Sequence, residues 1–304
     1  MGRRLKTNYV QYDYEEAYQK QLDMEDEYTA QQILKGKSKK TVYATKEIRS
    51  GEQLEVEIYP EFTKGQQSEI PTEAQRKKQK LAQWNLNEKN SRKMCERVII
   101  ENFGDRDIWA TLTYTDENLP ETMEEAQKNM QNYIKRLNRR RKKLGLKNAR
   151  YVYVTEFGEK GRVHHHIVLD GDMSMDEVEE IWKLGKRNEV RRLQKDENGL
   201  VGMAKYITKE KKTKNKKKWA ASKGLRKPKE SVNHYKFRKK DVDEIIKDHN
   251  CLEEKLLRWY GAEGYVFTSQ EIRYNDFNGR YYIRARMRKV KAAGAAGRKG
   301  VKKE

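Results

Sequence analysis

The chain has 304 residues, with 68 Lys or Arg against 47 Asp or Glu and a formal net charge of +21. That length allows two or three folded units, and a cationic surplus of this size points to a polyanion partner. There is no run of eighteen apolar residues to span a membrane and no apolar core of a signal peptide after Met1, so a cytoplasmic protein is expected. Cys95 and Cys251 stand far apart with no CxxC pattern, which excludes a disulfide framework and a cysteine zinc site.

Residues 1–40 read as helical and mixed in charge, with an acidic segment over 13–27. Residues 41–62 read as a hairpin, because Val42 and Ala44, then Leu54, Val56 and Ile58, alternate about Ser50-Gly51-Glu52. After Pro71 a helical pattern runs through Leu81, Trp84, Met94 and Val98-Ile99-Ile100, with a break expected over 85–90. Residues 108–115 form a strand pattern. Thr122 with Glu125 makes a capping box, and the helix that follows places Ala126, Met130, Tyr133 and Leu137 on one stripe. That helix ends in five consecutive cations at 139–143. Some suit the negative end of the helix dipole, and the excess, Arg140 and Arg141 among it, is assigned to phosphate contact.

Residues 151–157 and 163–169 are strands joined by a short polar link, hence antiparallel. A short helix over 175–184, a strand over 190–194, a turn over 196–199 and a helix over 201–209 follow. Residues 211–229 contain ten Lys or Arg and no acid, a run that cannot build a core. Within it Lys216, Lys217, Lys218 and Trp219 are candidates for phosphate contact and base stacking. A helix over 242–257 and a hairpin about Asp276-Phe277-Asn278-Gly279, with its Asn-Gly turn signal, complete the pattern. The order of elements in the middle of the chain fits an α+β layer, helices on one face of an antiparallel sheet.

Three of the five histidines are consecutive, His164-His165-His166, inside a strand-like run. Strand residues alternate faces, so His165 shares the face of Val163, Ile167 and Leu169, and His164 and His166 stand together on the other. Two imidazoles need a third ligand to make a metal site. Glu156, on the adjacent antiparallel strand, is the candidate, and Glu159, in the link, is the alternative. Such a set with open positions suits Mg2+ or Mn2+ acting as a Lewis acid on a phosphate oxygen. On the 201–209 helix, Tyr206 and Lys209 share a face distinct from that of Met203 and Ile207. A lysine one turn from a tyrosine favours the phenolate and can hold a phosphate, which is what a tyrosine nucleophile needs.

The stretches Ile108-Trp109-Ala110-Thr111-Leu112-Thr113-Tyr114, Gly161-Arg162-Val163-His164-His165-His166 and Tyr206-Ile207-Thr208-Lys209 resemble motifs I, II and III of the HUH endonuclease superfamily. The likeness is to its single-tyrosine rolling-circle replication initiators (Rep) of small phages, plasmids and integrated elements, and it covers roughly residues 105–210. The resemblance implies an RRM or ferredoxin-like five-stranded antiparallel sheet with helices packed on it and helical and hairpin additions at both ends. It implies His164, His166 and Glu156 as metal ligands, Tyr206 as nucleophile and Lys209 as charge partner. Thr111, Leu112 and Thr113 would lie beside the site and help place the DNA. The implied activity is nicking and rejoining of single-stranded origin DNA through a 5′-phosphotyrosine, with DNA and a host helicase or replication machinery as partners. In sequence this divides the chain into an accessory region (1–103), an endonuclease core (104–210), a basic linker (211–230), a C-terminal helix and hairpin region (231–288) and a basic disordered tail (289–304).

Two departures from the pattern stand out. His165 occupies a position normally bulky and apolar, and no second tyrosine follows Tyr206 in its helix. The second departure leaves another protomer, in a homo-oligomer, or a different route to finish a replication round. A single-tyrosine transposase or plasmid-transfer relaxase would use the same chemistry. A reading of another class is a non-catalytic RRM-like sheet stacking bases on Tyr151, Tyr153 and Trp109.

Overall fold

In the computed structural model the described residues are 13–18, 20–21, 42–61, 73–157, 162–196, 198–207, 219–275 and 279–290. In chain order the elements are α1 (Tyr14–Ala17), β1 (Lys20–Gln21), β2 (Val42–Ser50), β3 (Gln53–Glu61), α2 (Glu73–Asn102), β4 (Ile108–Leu112), α3 (Met123–Lys143), β5 (Tyr151–Phe157) and β6 (Val163–Leu169). They continue with α4 (Met175–Glu180), β7 (Glu189–Arg192), α5 (Val201–Ile207), β8 (Trp219–Ala221), β9 (Lys229–Asn233), α6 (Lys239–Lys247), α7 (Asn250–Tyr260), β10 (Tyr265–Asn275) and β11 (Arg280–Lys289). The chain divides into two compact units, Met1–Gln83 with Lys229–Glu304, and Trp84–Pro228.

The first unit is a six-stranded antiparallel sheet in the order β1-β10-β11-β3-β2-β9. The hairpin expected over 41–62 is β2–β3, with Ser50 opposite Gln53 and Gly51 at φ 54°. Its register sets Thr45 opposite Ile58, so Tyr43 joins Leu54, Val56 and Ile58 in one core cluster, while Ala44 is buried on the opposite face of the strand and Val42 is exposed. The single helix expected over 242–257 is two helices. Asp248 leaves the helical region at φ −144° and ψ 105°, after which Leu252, Leu256 and Tyr260 pack with Val242, Ile245 and Ile246 in one cluster. The turn residues at 276–278 lie outside the described residues, and β10–β11 is the expected hairpin.

The second unit is a five-stranded antiparallel sheet in the order β7-β4-β6-β5-β8. On one face Ile108, Ala110, Leu112, Val163, Ile167 and Leu169 pack with the α3 stripe Ala126, Met130, Tyr133 and Leu137 and with Val178 of α4. Helix α3 begins as expected, the Thr122 side chain accepting from the Glu125 amide. The other face is also covered: Trp109, Val152, Val154 and Val168 pack with Cys95, Val98 and Ile99 of α2 and Ala204 of α5. The expectation of helices on one face is corrected here, because the central strands carry apolar side chains on both sides, as fully enclosed strands do. Helix α2 runs unbroken through 85–90, since nothing between 73 and 102 is Gly or Pro. Trp219–Ala221, a short apolar stretch within the basic run, forms the edge strand β8, so that part of the run does contribute to the fold.

Candidate active site

Strand β6 sits at the centre of its sheet, and register decides what surrounds each histidine. Thr111 and Val154 flank His166, Leu112 and Thr155 flank His165, and Glu156 lies opposite His164. The alternation of the strand places His164 and His166 side by side, their ring centroids 5.0 Å apart at 87°. Glu156 Oε2 lies 3.2 Å from His164 Nε2 and 3.1 Å from His166 Nε2. One ligand atom from each of the three residues falls within 4.8 Å of the others. Two imidazole nitrogens and one carboxylate oxygen facing a common point are a donor set that fits a divalent cation. Thr111 Oγ1 lies 3.2 Å from His166 Nδ1, which orients the ring and leaves Nε2 for the ligand. Hydrogen bonds from His164 and then His166 hold the Glu156 carboxyl down to about 2, so it is present as the carboxylate. Glu159, the alternative third ligand, lies outside the described residues.

His165 turns to the opposite face, buried between the Tyr114 hydroxyl, 2.8 Å from Nε2, and Thr155 Oγ1, 2.9 Å from Nδ1. Burial holds its pKa down to about 3, so the ring is neutral, one nitrogen donating and the other accepting. That pair of hydroxyls is what makes a polar ring acceptable at a position facing the core.

Helix α5 carries Tyr206, 57% exposed, with its ring centroid 5.6 Å from that of His166 and 6.4 Å from that of Trp109. Its partner Lys209 and the cations Lys216, Lys217 and Lys218 lie outside the described residues. Trp219 is half-buried opposite Val154, its Nε1 donating to Ser91 Oγ at 3.0 Å. The two threonines expected to place DNA have their polar groups engaged within the protein. Thr111 binds His166, and Thr113 uses its N–H on Asn188 Oδ1, its Oγ1 on the Arg187 carbonyl and its carbonyl for Trp182 Nε1. Arg140 is exposed and ion-paired with Glu177 at 2.6 Å. Arg141 departs from its expected place at a phosphate: it is 1% exposed, paired with Asp170 at 2.7 Å and Asp172 at 2.9 Å, and donates to the Lys147 carbonyl. Position 141 falls on the buried stripe of α3, one turn beyond Leu137, so its charge is neutralised inside the fold.

Sequence reasoning passed over Trp109 as a neighbour of the histidines. Its ring lies nearly parallel to that of His166, 8° between planes and 6.0 Å between centroids, with the Arg191 guanidinium 4.1 Å above it. Alternation along β4 was the available signal, because Trp109 and Thr111 must share the face that meets His166.

The unit is therefore an α+β domain, consistent with an HUH-type fold, an antiparallel sheet whose central strand and its neighbour present two histidines and a glutamate beside an exposed tyrosine. Residues 107–211, about a third of the chain, match the family model described as replication-associated protein ORF2/G2P. The matched segment is similar to those proteins from β4 to α5, contains Glu156, His164, His166 and Tyr206, and supports a replication initiator with DNA as its partner. No curated protein and no solved structure matches the chain. Among the described residues no helix is long and apolar enough to cross a membrane.

Proposed function

We propose that this protein is a metal-dependent, site-specific DNA nickase that starts rolling-circle replication by cutting and rejoining a single-stranded origin through Tyr206. The observation that carries this reading is the exposed Tyr206 ring edge-on to His166, itself one of three residues converging on a cation-sized point. Glu156, His164 and His166 would hold Mg2+ or Mn2+, which when bound polarises a phosphate oxygen. The protein's own residues then do the rest. The Tyr206 oxygen bonds to phosphorus as the bond to the 3′ oxygen breaks. The phenol gives up its proton to water, the released 3′ oxygen of the upstream fragment takes one up, and the downstream fragment stays on Tyr206 through its 5′ phosphate. Rejoining is the reverse, with a 3′-hydroxyl attacking and tyrosine leaving. Lys209, three residues on in sequence, is proposed as the cation that favours the phenolate, and Arg140, Lys216, Lys217, Lys218 and Trp219 as DNA contacts. In the cytoplasm a host helicase would unwind the duplex and the host replication machinery would extend the freed 3′ end.

The test is a covalent one. Protein, Mn2+ and labelled single-stranded origin oligonucleotides are incubated and run on a denaturing gel. Wild type is expected to give a protein–DNA adduct that survives denaturation, Tyr206→Phe none, and His164→Ala binding without cleavage. Absence of any adduct across all origin strands removes the reading, and an adduct that persists in Tyr206→Phe moves the nucleophile elsewhere.

A further inference from the structure

Beside the donor set, at the free edge of the sheet, lies a cationic strip to which no role has been given. Between 181 and 192 there are five Lys or Arg and one acid, Glu189. Arg192 is engaged by the carbonyls of Arg106, Gly171 and Met173. Lys183, Lys186, Arg187 and Arg191 are exposed, and among the described residues Glu189 is ion-paired with Arg191, at 3.4 Å. We propose that this strip, the loop before β7 together with Arg191, binds the backbone phosphates of the single DNA strand on its way to the metal-binding residues. The inference takes its ligand from the nickase reading and adds the surface that would hold it.

Exposed cations on an edge strand have a simpler explanation, since charge blunts edges against pairing with other chains. Two observations favour a binding surface. The first is that the loop beneath the cations is pinned. Thr113 holds Arg187 and Asn188 through its Oγ1 and N–H, and the Thr115 amide donates to the Leu184 carbonyl at 2.9 Å. Arg136 donates to the carbonyls of Ile181 and Trp182 at 3.2 and 3.0 Å. Gly185 is pressed against the Thr113 carbonyl so closely that any side chain there would collide with it. A blunted edge needs no such anchoring. Cations on a fixed backbone lose less freedom when they meet a ligand, which raises affinity.

The second observation is the direction of Arg191. Register pairs Trp109 with Arg191 and Thr111 with Glu189, so Arg191 stands on the face of the sheet that carries His164 and His166, and not on the face of α3. Its guanidinium sits over Trp109, whose ring stacks with His166. A guanidinium supported on an aromatic ring keeps its planar fork of donors available, the geometry that recognises a phosphate with two bonds at once. The strip thus runs from the loop at Lys183 to a cation one aromatic ring away from a metal-binding histidine.

The experiment uses the full chain and a fluorescent single-stranded oligonucleotide, read by anisotropy in EDTA at a series of salt concentrations. The variant is Lys183→Gln/Lys186→Gln/Arg187→Gln. Its charge-matched control is Lys128→Gln/Lys135→Gln/Lys147→Gln, all exposed, two of them on α3. For single strands each phosphate contact contributes about 0.7 to the slope of log affinity against log salt, so the strip variant should flatten the slope by about 2. Arg191→Gln should flatten it by about 0.7 more, and KM for nicking should rise in step. The control should leave the slope near that of wild type. Equal slopes in the two triple variants overturn the strip. A wild type that forms no Tyr206 adduct, with a slope that still flattens only in the strip variant, supports the strip and sinks the nickase.

Discussion

His165→Leu restores the apolar residue usual between paired histidines of this kind, yet in this protein it should destabilise. The ring now satisfies two buried hydroxyls, Thr155 Oγ1 at 2.9 Å and the Tyr114 hydroxyl at 2.8 Å. Leucine satisfies neither. Thr155 is almost fully enclosed, and an orphaned buried hydroxyl costs about 1–3 kcal/mol. Tyr114 is also hydrogen-bonded by the Asn129 side chain and would lose less, about 1 kcal/mol. The expected loss is therefore about 2–4 kcal/mol, reduced somewhat by the better burial of an aliphatic side chain. Urea unfolding followed by tryptophan fluorescence reads the correct unit, because Trp84, Trp109, Trp182 and Trp219 lie in it and only Trp259 lies in the other. The triple variant His165→Leu/Thr155→Val/Tyr114→Phe removes donors and acceptors together and should recover most of the loss, since replacing both partners by apolar groups is nearly neutral. It should bind Mn2+ as tightly as wild type, because His165 faces away from the ligands. A single His165→Leu that unfolds at the wild-type urea midpoint would refute the reasoning.

Thr111→Val keeps the shape of the side chain and deletes its contact with His166 Nδ1. Mn2+ affinity measured by titration calorimetry should fall about 10–100-fold with little change in melting temperature, and an unchanged affinity would show that Thr111 does not orient the ring. Arg141→Met strands the buried carboxylate of Asp170 and should cost about 3–5 kcal/mol in the same urea assay. Adding Asp170→Asn should recover part of that loss, because the side-chain oxygen still accepts from the Arg150 amide; equal losses with and without it would place the penalty elsewhere.

Much of the site was legible because strand geometry is arithmetic. Period-2 alternation separated His165 from its neighbours, and a short link between two antiparallel strands carried Glu156 to the position opposite His164. Helix faces were legible where one stripe is apolar, as at Ala126, Met130, Tyr133 and Leu137. What escaped depends on pairings between distant strands. Arg191 reaches Trp109 only because β7 pairs with β4, and Arg141 reads as part of a surface cluster until the segment after β6 brings Asp170 and Asp172 to it. The second helical layer was hidden for the same reason. Val152, Val154 and Val168 look like ordinary strand residues until α2 is seen to cover them.

The strand order of the six-stranded sheet has a consequence for how the protein is made. Ile58 pairs with Ile283 and Thr45 with Asn233, so the β2–β3 hairpin finds both its neighbours only after the Trp84–Pro228 unit has been translated. Roughly 170 residues separate β3 from β9, which at about 5–20 residues per second is on the order of ten to thirty seconds of synthesis. During that interval β2 and β3 each present an unpaired edge, while Trp84–Pro228 emerges whole and can fold first. The nascent chain can therefore complete the Trp84–Pro228 unit first, and a truncated product would carry His164, His166 and Tyr206 in a finished unit while β2 and β3 still lacked β9 and β11.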